Sequence, residues 1–360
     1  MSQEPPVYAL LRTLVSIRST TLAESAACSA LGAHLQSLGW TVHEQRIPSS
    51  SPARHNLYAF RGGSPEHPRR KVKVLLNSHV DTVPPHIELS EDEDNFYGRG
   101  TCDAKGSVAA QICAVTELLE EGVVRDEDVG LLYVVGEETD HIGMKVADEL
   151  ALSTSYLLVG EPTEMQLAKG HKGMIKADIV VKGVAGHSGY PERGKSANAH
   201  LVEILHELQN TTWPTSDRLG DTTFNIGIIQ GGVAANVIPA DARADISFRV
   251  STSTAEVQDQ LQRIVERKRP GHDCEVELIV RGALDPVPCV TVDVGVPTFV
   301  ARYFTDIPYL HGPQKALLFG PGSITVAHAT NEFVPKKELV EAVAVIKNII
   351  KKLLVDDVVE

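Results

Sequence analysis

The chain has 360 residues, 42% of them hydrophobic and 22% charged, which excludes a disordered chain and gives length for about two domains. Lys and Arg total 34 against 47 Asp and Glu, and the net charge of −13 argues against a nucleic-acid groove or an anionic membrane surface. No apolar run reaches the ~18 residues of a membrane span, no leader is read at the start, and five cysteines without a CxxC spacing argue against a disulfide scaffold or a cysteine zinc site and fit a cytoplasmic protein.

Residues 8–15 and 22–38 read as amphipathic helices. Residues 72–77 form a β-branched and leucine run ending in Ser78-His79. The acidic run Glu91-Asp92-Glu93-Asp94 reads as a solvated turn. Residues 104–119 are alanine-rich and helical. Two further apolar strands, 129–135 and 156–159, end in Gly136-Glu137-Glu138 and Gly160-Glu161-Pro162. This alternation predicts an α/β domain with a mostly parallel, buried sheet.

The pattern changes near Gly173. Strand patterns at 175–184, 223–229, 241–250 and 274–280 are interleaved with helical spacing at 196–209 and 255–267. The order β-α-β-β-α-β is that of a ferredoxin-like α+β unit. Afterwards 295–304 reads as a helix, 316–319 as a strand and 337–354 as a closing helix. The simplest organisation is a domain of 1–173 and 285–360 with an inserted domain of 174–284.

Several carboxylates and histidines fall just after strands or glycine-rich turns, where open α/β sheets build their sites. In His79-Val80-Asp81 the two polar side chains point the same way if the strand persists, and the Asp could hold the imidazole N–H. The alternative is a hydrogen-bonded loop pair. Asp103, in Gly98-Arg99-Gly100-Thr101-Cys102-Asp103, precedes a helix and reads locally as an N-cap. Glu137 and Glu138 repel one another, so a cation is a reason to keep both; a polar loop is the plain alternative. Glu161 ends another strand, and His328 follows Gly320-Pro321-Gly322. Together, two histidines and three carboxylates suit zinc or a similar divalent ion, and a carboxylate shared by two ions gives a paired-metal hydrolytic site.

The segments His79 to Pro84, Tyr97 to Gly106, Gly136 to Glu138 and Gly160 to Thr163 match, in order and spacing, a family of co-catalytic zinc hydrolases. That family includes acetylornithine deacetylase, succinyl-diaminopimelate desuccinylase and glutamate carboxypeptidases. The resemblance spans residues 8–354, and 160–173, Gly186-His187-Ser188 and 320–328 look closest to acetylornithine deacetylase. One departure is the short Pro85-His86-Ile87-Glu88-Leu89-Ser90, where many relatives carry a Trp-containing stretch and Asp-Pro-Phe. The resemblance implies that His79, Asp103 and Glu161 hold one metal and Asp103, Glu138 and His328 the other. It makes Asp81 the orienter of His79 and Glu137 the general base, and it implies a cis peptide after Asp103. Two Zn2+ ions, with Co2+ able to substitute, are the expected cofactors.

In the inserted domain, His187 is otherwise a loop histidine and Asn236 a turn residue. Arg249 shares the open face of its strand with Arg243, Asp245 and Ser247, where a surface pair with Asp245 is the plain alternative. The resemblance makes His187 an oxyanion stabiliser that reaches the partner subunit's site. It gives Asn236 and Arg249 the substrate carboxylate. The expected activity is removal of a short acyl group from an N-acyl amino acid by a homodimer. A dipeptidase, carboxypeptidase or desuccinylase on the same metals is the alternative, and a metal-free binding protein of the same fold is the rival from another class.

Overall fold

A computed structural model of the chain describes residues 4–48, 50, 53–269, 273–312 and 314–355. They form two compact units, one of 1–169, 289–299 and 305–360, the other of 170–288 and 300–304.

The first unit is built on a six-stranded sheet. Its order is Thr41–Arg46, His55–Phe60, Val129–Val134, Lys71–His79, Ser153–Val159, Lys315–Leu318. The last four strands are mutually parallel and the first two antiparallel additions. Val129–Val134 is buried at every position, the pattern of a strand covered on both faces. The helices Pro6–Ser16, Lys105–Glu120 and Lys336–Val355 pack on one another. Lys105–Glu120 buries nearly its whole length, which its alanines permit because they let neighbouring backbones approach closely.

The second unit is a four-stranded antiparallel sheet in the order Thr223–Gly231, Asp241–Val250, Gly173–Lys182, Glu275–Leu284. Helices Ala197–Gln209 and Thr254–Val265 pack against it, completing β-α-β-β-α-β. Both helices start on a serine whose hydroxyl accepts a first-turn N–H, Ser196 from Ala199 and Ser253 from Ala255. Asp241–Val250 alternates strictly. Ala242, Ala244, Ile246, Phe248 and Val250 enter the core while Arg243 and Arg249 are exposed.

The expected helix at 295–304 is absent. Thr298–Ala301 is a strand instead. Gly295 has φ +78° and Pro297 follows it, so helix entry is blocked, while Val294, Val296, Thr298 and Val300 alternate as a strand requires. The strands Thr41–Arg46 and His55–Phe60 were not foreseen from the sequence. The acidic run is more than a solvated turn. Glu91 pairs with Arg12 and Lys336, each at 2.8 Å, and the Asp92 carboxylate accepts the N–H groups of Asp94 and Asn95. No helix among the described residues is long and apolar enough to cross a membrane.

Candidate metal centre and active site

The parallel strands deliver side chains to one edge of the sheet. His79 is the last residue of its strand, pairing in register with Val134. Glu137 and Glu138 follow Val129–Val134, and Glu161 follows Ser153–Val159. Gly136 makes the turn between strand and carboxylates at φ +78°, where a Cβ would stand 2.8 Å from both Arg54 Nη2 and Ile142 Cγ2. Only glycine fits there without displacement.

Asp103 is the centre of the group. One carboxylate oxygen, Oδ1, lies 2.9 Å from His79 Nε2; the other, Oδ2, lies 3.3 Å from His328 Nε2. His328 Nε2 is also 2.9 Å from Glu138 Oε2, and His79 Nε2 is 3.8 Å from Glu161 Oε1. Ligand-type atoms of His79, Asp103 and Glu138 all lie within 4.8 Å of one another. Five residues from five separate segments thus meet, and Asp103 faces two imidazoles with different oxygens. The Asp103–Ala104 peptide is cis. The local reading of Asp103 as a helix cap does not hold. Ala104 occupies the cap position and no side chain caps the helix.

Asp81 is fully buried and its carboxylate accepts the N–H of Glu137 (3.1 Å), the N–H of Glu138 (3.3 Å) and the Thr21 hydroxyl (2.8 Å). At His79 Nδ1 the Asp81 contact is its carbonyl, at 2.9 Å, with the carboxylate at 3.7 Å. Asp81 therefore meets the ring through its main chain and the paired glutamates through its side chain.

The electrostatics follow from burial and mutual proximity. Burial pushes Asp81 up to about 6, against the pull of His79. Burial also lifts Glu137 and Glu161 well above the usual carboxylate range. Asp103 is buried too, but the imidazoles of His328 and His79 hold its carboxyl below the ordinary value. Burial alone would lower His79; Glu161 and Asp103 outweigh it and raise the imidazole. Hydrogen bonds to Asp103 and Glu138 push His328 up to about 10. Such a cluster of mutually perturbed groups marks functional sites. Glu138 Oε1 is buried and has no hydrogen-bond partner. Unpartnered buried carboxylate oxygens are rare and costly, and a cation is the natural partner for this one.

Around Glu137 the structure adds residues that the sequence did not single out. His141 Nδ1 is 2.9 Å from Asp306 Oδ1 and 3.7 Å from Glu137 Oε1, and its ring stacks on Tyr309. The Arg99–Glu332 ion pair beneath the Asp103 loop was also missed. Glu332, four residues after His328, was the available signal.

Within the second unit, His187 pairs in register with Val237, and Ser188 N–H donates to the Asn236 carbonyl, which brings these two candidate residues together. His187 Nδ1 accepts the Gly189 N–H at 3.0 Å, so the proton of the neutral ring sits on Nε2. Arg249 is exposed on the open sheet face, and the Asp245 carboxylate is taken by Arg281 at 2.6 Å.

Fold and cluster together are those of a metal-dependent hydrolase with an inserted domain. Residues 169–273 match the family model of a peptidase dimerisation domain. An M20 peptidase domain-containing protein of Schizosaccharomyces pombe is 41% identical, over 93% of this chain and 82% of that one. A probable carboxypeptidase of Aspergillus oryzae is 37% identical, over 97% of this chain and 88% of its own length. The crystal structure of a Bacillus subtilis protein, described as a dinuclear metal-binding peptidase of the M20 family, is similar with a TM-score of 0.72. It shares 15% identity over 97% of each chain. The chain belongs to the M20 peptidase family and is a hydrolase of that metallopeptidase class.

Proposed function

We propose that this chain is a two-metal amide hydrolase that frees an amino acid from a short N-acyl amino acid, as acetylornithine deacetylase does. The observation that carries the reading is Asp103, whose two oxygens face His79 and His328 separately. His79, Asp103 and Glu161 would hold one ion, and Asp103, Glu138 and His328 the other. Zinc suits this mixed nitrogen and oxygen set, with cobalt able to replace it. Bound ions of this type supply Lewis acidity and a nucleophile at neutral pH. Glu137, partly buried beside the ligands, takes the proton of the attacking water and returns it to the leaving amine. Asp81 fixes Glu137 and Glu138 through their N–H groups.

In the second unit, the planar fork of Arg249, with Asn236, receives the substrate carboxylate. His187 donates Nε2–H to the developing oxyanion, in the partner subunit's site by the family resemblance. The catalytic domain is then 1–173 with 285–360, and 174–284 is the lid and dimerisation domain. Homodimer formation is supported by the family model over 169–273 and by the exposed Ile228 and Ile229 of the edge strand, with Val233 just beyond it. The second reading, a carboxypeptidase or dipeptidase, is supported by the Aspergillus oryzae relative. Both readings release a residue with a free carboxylate.

A panel of N-acetyl and N-succinyl amino acids, dipeptides and their C-terminal amides, assayed with added zinc or cobalt, tests this. N-acetyl amino acids are expected to turn over fastest and the amides to be poor. A preference for dipeptides with a free amine selects the second reading. Amides cleaved as fast as free acids contradict the role of Arg249.

A further inference from the structure

Arg99 and Glu332 are 233 positions apart in sequence and form an ion pair at 2.6 Å, with side chains 2% and 0% exposed. Neither lies in a helix or strand. Glu332 Oε1 accepts three backbone N–H groups, from Gly100 (2.8 Å), Cys102 (3.2 Å) and Asp103 (3.2 Å). Its own carbonyl accepts the Gly98 N–H at 3.0 Å. Arg99 binds Glu332 Oε2 and also donates to the carbonyls of His328 (3.3 Å) and Ala329 (3.2 Å). One buried pair therefore grips the loop that carries Asp103 by its N–H groups and the loop that carries His328 by its carbonyls.

Stability alone is a poor reason to keep such a pair. Apolar side chains of similar volume often replace a buried ion pair at no loss, whereas removing one partner is costly. What apolar residues could not supply is an acceptor for three converging N–H groups on one side and a planar donor fork for two carbonyls on the other. His328 needs that grip most. Its side chain is half exposed, its φ is +65°, and no regular element holds it. His79 and Glu161, by contrast, are fixed by the ends of two buried parallel strands.

We propose that Arg99 and Glu332 are a positioning pair that sets the distance between Asp103 and His328, and so governs the ion held by Asp103, Glu138 and His328. The pair acts through the ligands and touches no substrate. The inference rests on the two-metal reading above. It goes further in assigning the two ions different dependence on a residue that ligates neither.

The test is metal affinity, measured by competition with a chromophoric chelator and by the visible absorption of the cobalt form. Outer partners of ligands typically change metal affinity by about 10–100-fold. Glu332→Gln is expected to weaken one of the two ions by about 10-fold or more and to alter its cobalt spectrum, leaving the other ion within about 3-fold. Arg99→Lys keeps the charge but loses the fork, and should give a smaller loss at the same ion, which covers the case in which Glu332→Gln does not fold. Leu35→Ala, a cavity in the buried core, is the control for a general loss of stability and should leave both affinities unchanged. Wild-type affinity for both ions in the two pair variants would overturn the inference, as would an equal loss in Leu35→Ala. If the wild-type chain itself binds no second ion, the two-metal reading fails first, and the titration of the unmodified chain shows that separately.

Discussion

The two units differ in where they keep charge. The first buries a cluster of it. His79, Asp81, Arg99, Asp103, Glu161 and Glu332 are each at most 5% exposed, and all but Glu161 are hydrogen-bonded to another buried group or main-chain atom, Glu161 facing His79 at 3.8 Å. The second unit keeps its apolar core on one face of the sheet and puts most of its charges on the other, where Asp178, itself only 3% exposed, pairs with Arg243 (2.7 Å) and Arg281 (3.3 Å). Large apolar side chains reach solvent in both units, Leu22 62% and Val123 46% exposed in the first, but in the second Ile228 (53%) and Ile229 (60%) are neighbours on the edge strand with Val233 (88%) just beyond it. A buried charge must be paired or the fold loses several kcal/mol, so the first unit's polar cluster is there for chemistry. Exposed apolar side chains grouped on an edge strand mark an interaction surface. The contrast supports the proposed assignment of catalysis to the first unit and association to the second.

Three outcomes would sharpen or break that division, beginning with the largest. Glu137→Gln should lower kcat by about 10^2- to 10^4-fold, the usual weight of a general acid–base group, while metal content stays at the wild-type level. Turnover near wild type would remove Glu137 from the chemistry. In the second unit, Ile228→Asp combined with Ile229→Asp should convert a dimer to a monomer in light scattering, with each chain still folded. The sheet tolerates both changes because a register shift between Ile226 and Ile228 already leaves these positions in solvent. A dimer that survives the double substitution would put the interface elsewhere.

The smallest effect concerns pH. His79 and His328 have raised folded values, so their contribution to stability is complete below about 6.5 and is lost as pH rises towards those values. Glu137 and Glu161 are raised acids and act in the same direction, favouring the protonated, metal-free cluster at low pH. Asp103 is lowered, and its contribution changes only in strong acid. Protons and cations therefore compete for the cluster, and the gain in Tm on adding zinc should grow from pH 6 to pH 8. A gain that is flat or shrinks over that range would contradict the cluster as the binding site.

Much of this was legible in the sequence because it is local. The alternation of Asp241–Val250, the alanine-rich helix and the polar residues at strand ends are set by near neighbours, and the structure follows them. Asp103 shows the limit of that reasoning. Its immediate context reads as a helix cap, but its partners, His79 and His328, come from other segments. Arg99 with Glu332 and His141 with Asp306 are pairings of the same non-local kind, since 233 and 165 positions separate them, and only the place of Glu332 four residues after His328 hints at the first. The helix expected at 295–304 fails for a local reason: Gly295 and Pro297 outweigh the apolar spacing. The strand Thr41–Arg46 shows no apolar alternation, with Val42 its one aliphatic residue, and the apolar run of His55–Phe60 is only Leu57 to Phe60, too short to stand out.

The most direct measurement is the zinc stoichiometry of the chelator-stripped chain, followed by calorimetric titration and elemental analysis, with His328→Ala alongside. The account predicts two ions for the unmodified chain and retention of one in His328→Ala, since His79, Asp103 and Glu161 remain. An unmodified chain that is fully active with a single ion or none, or a His328→Ala chain that still binds two, would contradict it.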